Sequence, residues 1–440
     1  MHFVFLNLPI ECYSPTCGGA ISTIIMEVSR TLIEAGHAVS VLTVAPADGG
    51  REYDVGDVIG VRMKSRNDYS FVQRRLVALY RKMHRWDWPY YGSYVRSFQS
   101  SLRKMKSRPD AVVVFNDLVA AKYIREAAPK SRAICWLQNE CRTHPKNVAK
   151  AVETTERFIT CSQYIRKWTA QHHGINENRI EVIPSGVDEE KFFPRGDYLC
   201  SRRPLRVLFL GRIDPNKGAD LALDAVQEVR SEGHDVTITV AGAPWFYSRG
   251  DDAKDTYFMM LKGKIDAMGS GAAYMGHVPR DQVPALIREH DVACVLSRSN
   301  EPFGLVVLEA MASGLAVLAS NRGGLPEACG DAAILGNPDD LTWISRAIRQ
   351  FATNPSLLAK HKEMSIAHAR TMTWRLAASR LQAVVERRGV NPTAESLHCG
   401  SGRDHRVHVI NSACGSQGGG DSELSSRVAQ VVTHEKNWQG

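Results

Sequence analysis

At 440 residues the chain is too long for one ordinary domain and long enough to build two sizeable cores. A 44% hydrophobic share with 23% charged residues excludes a disordered or fibrous chain, and no window holds about 18 uninterrupted apolar residues, which argues against a membrane-spanning helix. The formal net charge of +8 favours an anionic ligand or surface and says nothing about fold.

The first strand is expected in HFVFLNLP, which ends at Pro9. Ile21, Ile24, Ile25, Val28, Leu32 and Ile33 then recur at helical spacing, Gly36 stops that helix, and AVSVLTVA forms the next strand. This β-loop-α-β unit implies a parallel sheet with a right-handed crossover. The start of the chain lacks the basic, long-apolar pattern of a signal peptide, so the protein is expected in the cytoplasm.

Residues 62–108 carry thirteen Lys or Arg against two Asp, interleaved with Trp86, Trp88, Tyr90, Tyr91, Tyr94 and Phe98. That mixture suits peripheral contact with the inner face of an anionic membrane. A solvated basic helix pair with core aromatics is the plainer reading, and nucleic acid is disfavoured.

Further strands are expected in AVVVFN (111–116), RAICWLQNE (132–140) and RFITCS (157–162), with RIEVIPSGVD closing the first half. A polar, proline-containing stretch, 188–203, reads as a linker. The pattern then restarts: LRVLFLGRID is a strand, GADLALDAVQEVRSEG a helix, VTITVAG and DVACVLS strands, FGLVVLEAMASG a helix and LAVLAS a strand. The fold class is therefore α/β, with two successive doubly wound units. Helical pattern dominates from Leu341 to about Arg388, and the Gly- and Ser-rich residues 390–440 are expected to be disordered. The ten cysteines are scattered without a C-x-x-C pair, so neither a zinc site nor a disulfide framework is expected.

Three stretches could carry chemistry. GRIDPNKG (211–218) follows a strand and places Arg212 and Lys217 on a glycine-containing loop before a helix, which suits a phosphate. In NEPFGLVVLEAMASG, Gly304 frees the backbone at a helix start whose unpaired N–H groups also suit a phosphate. Glu301 precedes that start. Glu309 lies about one and a half turns inside it, where it either reaches vicinal hydroxyls or pairs with a buried base. Gly18 and Gly19, between the first strand and helix, form a weaker phosphate or substrate loop. No G-x-G-x-x-G and no P-loop pattern occurs, which argues against a dinucleotide cofactor and a P-loop NTPase.

GRIDPNKG, the AG at 241–242, and YMGHVPRDQVPALIREHDVACVLSRSNEPFGLVVLEAMASGLAVLASNRGGLPE together resemble the GT-B retaining glycosyltransferases of family 4. The resemblance covers about residues 2–385 and is most specific around the E-x7-E motif, Glu301 to Glu309. It implies two Rossmann-like domains facing across a cleft: 1–187 for the acceptor, 204–365 for the nucleotide-sugar, and 366–389 as a C-terminal helix crossing back onto the first. Arg212 and Lys217 would neutralise the donor diphosphate, with Glu301 on sugar hydroxyls. The Phe303, Gly304 and Leu305 amides would meet phosphate and sugar, and Glu309 the ribose. Gly242, His277 and Val278 would border the donor, and Gly18 and Gly19 would approach the diphosphate from the opposite domain.

Many relatives carry histidines after the strands matching 111–116 and 132–137. Here Phe115 and Gln138 stand instead, which leaves Asn116, Asp117, Gln138 and Asn139 as candidates for contacting sugar or acceptor. His144, His172 and His173 read as surface or core histidines. The expected activity is metal-independent transfer, without a cofactor, of a hexose or N-acetylhexosamine to a glycan or lipid-linked hydroxyl. A UDP-sugar is the favoured donor and GDP-mannose its alternative. A non-catalytic nucleotide-sugar-binding protein on the same fold is the competing reading, and a phosphorylase or epimerase a third.

Overall fold

The computed structural model describes residues 1–387 apart from 10, 16–18, 45–51, 65–67, 69, 71, 77–87, 143–144, 200–203 and 245–251. Two all-parallel sheets organise it. The first contains β1 (His2–Leu6), β2 (Ala38–Thr43), β3 (Asp57–Gly60), β4 (Ala111–Phe115), β5 (Arg132–Leu137), β6 (Arg157–Thr160) and β7 (Ile180–Val182), in the order β3-β2-β1-β4-β5-β6-β7. Strand β1 is shared: Phe3 pairs with Val39 on one side and Ala111 on the other. The chain therefore runs outward through β2 and β3, then restarts beyond β1 at β4. Helices α1 (Ala20–Glu34), α2 (Trp88–Lys104), α3 (Leu118–Ala127), α4 (Pro145–Thr154) and α5 (Gln163–His173) connect these strands. Every residue of β4, AVVVF, is buried, as expected for a strand covered on both faces.

The second sheet repeats the scheme with β8 (Leu205–Leu210), β9 (Val236–Ala241), β10 (Ala272–Gly276), β11 (Val292–Val295), β12 (Ala316–Ser320) and β13 (Ile334–Gly336), ordered β10-β9-β8-β11-β12-β13. Its helices are α6 (Ala219–Ser231), α7 (Asp252–Met268), α8 (Val283–Arg288), α9 (Leu305–Ala312), α10 (Leu325–Cys329), α11 (Thr342–Thr353) and α12 (Pro355–Ala369). The strand order reverses between β8 and β11, and a crevice opens beyond the carboxyl ends of strands at such a point. The loops after β8 and β11 carry Arg212 and Glu301.

Residues 366–369 finish α12, and a new helix, α13 (Trp374–Glu386), begins after the Thr373 cap. Trp374, Ala377, Ala378, Leu381 and Val385 of α13 join Phe3, Phe5, Ile25 and Val28 in the first domain's core. A backbone bridge between Val187 and Thr373 marks the return. The stretch after β7 is anchored at its start. Asp188 meets Arg30 at 2.8 Å and Lys191 at 2.9 Å, and Phe192 is buried.

Cysteine chemistry departs from the expectation of unpaired thiols. Cys12 is disulfide-bonded, while Cys135, Cys161, Cys294 and Cys329 are buried free thiols. The basic segment is also more integrated than its composition suggests. Tyr94 and Phe98 are fully buried, and Tyr91 donates to Asp117 at 2.5 Å, so these aromatics serve the core. Trp86, the side chains of Trp88 and Tyr90, His144 and the tail lie outside the described residues.

Candidate active site

The loop after β8 leads through Gly211 and Arg212 into a 3-10 turn, Pro215–Lys217. Asp214 accepts from the Asn216 amide at 2.9 Å and lies 3.5 Å from Arg212. Arg298, at the end of the loop after β11, grips both oxygens of Asp220 at 2.9 and 2.5 Å and donates to the Pro215 carbonyl at 2.7 Å. The lysine-bearing turn is thereby tied to the neighbouring loop.

Lys217 Nζ donates to Glu301 Oε1, and the Ser297 hydroxyl donates to the same oxygen at 2.6 Å. The structure thus brings the expected phosphate lysine and the first carboxylate of E-x7-E into direct contact. Three residues on, Gly304 precedes α9 with φ 102°. A Cβ there would lie 2.7 Å from Leu325 Cδ2, so backbone angle and packing both require glycine. The first amides of α9 have no partner within the helix and carry the positive end of its dipole.

Glu309 is 3% exposed. Its Oε1 accepts from Arg280 Nη2 at 2.5 Å, while Oε2 is buried and accepts no hydrogen bond. Of the two sequence readings of Glu309, the structure shows the pairing with a buried base through one oxygen, and the other oxygen is left over.

A pocket of about 320 Å³ lies beyond β8, β9 and β10, lined by Gly211, Arg212, Gly242, His277 and Val278 among others. Gly242 has φ 138°, and a Cβ on it would fall 1.8 Å from the Gly211 carbonyl oxygen. Only glycine allows these two loops to approach so closely.

The opposite wall comes from the first domain. Gly18 lies outside the described residues. Gly19 precedes α1, whose Ser22 amide donates to Glu11 Oε1 at 3.2 Å. Burial raises the pKa of Glu11 against the stabilising amides of Ser22, Gly19 and Ile21. Asn116 is the one non-glycine residue with positive φ, 50°, among those described. Its Oδ1 accepts from the amides of Gln138 (2.5 Å) and Asn139 (3.3 Å). Asp117 caps α3 through the Ala120 amide at 2.8 Å and takes the Tyr91 hydroxyl on its other oxygen. Both side chains are committed to local structure. Gln138 is buried, and its Nε2 has no hydrogen-bond partner. His172 stacks on Trp168 with ring centroids 4.4 Å apart, and His173 bonds the Cys141 carbonyl at 2.6 Å.

The domains meet beside the Glu301 loop. Ser162, the cap of α5, donates to the Pro302 carbonyl at 2.7 Å. The Glu327 carboxylate from α10 accepts from the Gln163 and Tyr164 amides at 2.6 and 2.8 Å, closing the α5 N-terminus from across the cleft. Phe303 is 4% exposed within an apolar cluster that includes Leu137 and Cys161 of the first domain and Val307 and Leu325 of the second. Leu305 packs against the first domain's core.

Sequence reasoning missed Arg280, Ser297, Arg298, Glu327 and Glu11. Glu327 lies within the NRGGLPE stretch that carries the family resemblance, so a signal for it existed. Arg280 lies in the same resembling stretch, two residues after Val278, but its partner Glu309 is 29 positions away, so the pairing could not be read from the sequence.

The sequence matches the family "Glycosyl transferases group 1" over residues 197–370 and "Glycosyltransferase Family 4" over 18–191. A lipopolysaccharide 1,2-N-acetylglucosaminetransferase from Salmonella typhimurium is 26% identical over 74% of this chain and 81% of its own length. A mannosylfructose-phosphate synthase from Agrobacterium fabrum is 29% identical over 51% of this chain, which spans about half (51%) of that relative. The structure of Anabaena HepE in complex with UDP-glucose superposes with TM-score 0.65 at 16% identity, covering 88% of this chain and 99% of HepE. The chain belongs to the GT-B glycosyltransferases of group 1, family 4, and is a glycosyltransferase.

Proposed function

We propose that this glycosyltransferase moves a hexose or N-acetylhexosamine from a nucleotide-sugar to a hydroxyl acceptor in glycan, polysaccharide or glycolipid assembly. The anomeric configuration is retained and no metal takes part. A UDP-sugar is the favoured donor and GDP-mannose the alternative. The observation that carries this reading is the contact of Lys217 with Glu301 at the mouth of α9, with Glu309 buried on the same helix. HepE, whose structures contain UDP and UDP-glucose, supports the donor class.

In this reading the nucleobase occupies the pocket beside His277 and Val278, and the Glu309 oxygen without a partner takes ribose hydroxyls. The diphosphate lies against Arg212, Lys217 and the first amides of α9, with Gly19 on the side of the other domain. Departure of a nucleoside diphosphate develops negative charge, and preorganised cations and amides stabilise it most at the transition state. Glu301 then orients the sugar. Charge neutralisation is assigned to the cations and amides that meet at the mouth of α9.

Of the first-domain candidates, Gln138 is assigned the sugar contact, because Asn116 and Asp117 already spend their oxygens on backbone amides and Tyr91. Asn139 lies beside it. Membrane contact through residues 62–108 draws on its positive charge, and Tyr91, Tyr94 and Phe98 pack against the core. No helix among the described residues is long and apolar enough to cross a membrane.

The test is a thermal-shift panel of UDP, GDP, ADP, dTDP and their sugar conjugates, with and without EDTA. A ligand of the folded state raises its apparent stability by mass action. One base is expected to shift the transition equally in EDTA, and NMR of the product should show the donor's anomeric configuration. An EDTA-dependent shift, or an inverted product, would refute the mechanism.

A further inference from the structure

The donor-site carboxylate Glu309 is held by an arginine distant from it in the chain. Arg280 lies 29 positions earlier, on the loop between β10 and α8. Its guanidinium bonds Glu309 Oε1 at 2.5 Å and lies over the Phe192 ring, 5.3 Å from the centroid. It also interacts electrostatically with Tyr53 and Glu27 of the first domain. Burial opposes its charge, yet the Glu309 carboxylate holds its pKa above the ordinary arginine value.

We propose that Arg280 is a positioning residue that fixes one oxygen of Glu309 so that the other remains free for the ribose diol of the donor. The inference rests on the donor-site reading above. A carboxylate that receives a diol needs a defined rotamer and a vacant acceptor. Oε1 is engaged by the arginine, and Oε2 is buried without a partner, an arrangement expensive to maintain unless a ligand donor completes it. Because Arg280 also lies over Phe192 and feels the charge of Glu27, the orientation of Glu309 depends on the linker and on the first domain's electrostatics as well as on α9. Arg280 touches the carboxylate and not the reacting atoms, so it acts through Glu309.

The discriminating readout is ribose preference, the ratio of affinities for UDP and 2′-deoxy-UDP measured by calorimetry. A hydrogen bond to a charged group is worth about 1.5–3 kcal/mol, so the wild type should prefer UDP by roughly 10- to 100-fold. Glu309→Gln should remove most of that preference. Arg280→Met should lower it to a similar extent, and Arg280→Lys should restore part of it. Arg280→Met leaves a buried charge without its partner and can unfold the protein. The double variant Arg280→Met/Glu309→Gln carries no such charge and keeps the test open. If Arg280 acts through Glu309, the double variant matches Glu309→Gln alone.

A further loss of affinity in the double variant, shared by both nucleotides, would mean that Arg280 binds the nucleotide itself and would overturn the proposal. So would full ribose preference in Arg280→Met. A wild type without ribose preference, or a Glu309→Gln variant that keeps it, would overturn the donor-site reading first and this inference with it.

Discussion

Lys217 and Glu301, 84 residues apart in the chain, share a hydrogen bond at the mouth of α9. The lysine comes from the turn after β8, and the glutamate from the loop after β11. Their loops adjoin because β8 and β11 are neighbours in the sheet, with Val207 beside Val292. The pair therefore marks the place where the strand order reverses, and a donor diphosphate would have to share Lys217 with Glu301. Replacing Lys217 by Ala should weaken nucleoside diphosphate binding by roughly 10- to 100-fold, the scale of one charge-assisted hydrogen bond. The loss should shrink for the free nucleoside, which lacks phosphates. Calorimetry with both ligands checks this, and equal losses would count against the phosphate role.

Gly304 supports the helix mouth by conformation as well as by space. Alanine there would adopt an unfavourable φ and meet Leu325. Gly304→Ala is expected to cost about 1–3 kcal/mol of stability, read from urea unfolding. Unchanged stability would show that the loop relaxes freely.

Glu327 closes the α5 N-terminus from the other domain. Glu327→Ala should cost about 0.5–2 kcal/mol, as loss of a helix cap does, and should loosen the domains. Amide exchange at Gln163 and Tyr164 should accelerate while the strands of both sheets keep their protection. Unaltered exchange at those two amides would deny the contact a role in holding the domains together.

Burial lowers the pKa of His290, His173 and His361 below the ordinary histidine value of 6.5. Between the folded and unfolded values the unfolded chain binds more protons, so stability rises with pH and is lost as pH falls below 6.5. The melting temperature should drop on acidification from about pH 7.5 to about 5.5, and His290→Asn should make that slope shallower. A flat profile in the wild type would contradict the burial argument.

The parts of this fold that could be read in advance were those whose local chemistry matches their final environment. Strand β4 is uniformly apolar because both faces are covered, and α1 buries Ile21, Ile24, Ile25, Val28 and Leu32 of its expected stripe, although Ile33 is exposed and Ser22 and Glu27 are buried beside them. Strand β3 lies at a sheet edge with no residue buried, and β10 alternates between half-buried and exposed, so neither leaves an apolar run to read. The site followed the same division. Arg212, Lys217 and Gly304 sit in loops whose position after a strand or before a helix already suits an anion, and Glu301 lies in the same loop as Gly304. What Asn116 and Asp117 do could not be read, because their partners Gln138 and Tyr91 come from distant segments. The polar stretch after Val187 looked like a plain linker, although Asp188 and Phe192 are buried. The role of Arg280 could not be read, although the residue lies in the resembling stretch, because its partners Glu309 and Phe192 come from distant segments.

The most direct test of the account is calorimetric titration of UDP and UDP-sugars, in EDTA, into the wild type and Glu309→Ala. The account predicts metal-free binding to the wild type, with affinity lost in a variant that still unfolds cooperatively. Undiminished affinity in Glu309→Ala would contradict the assignment of Glu309 to the donor ribose, and with it the orientation of the nucleotide-sugar across this cleft.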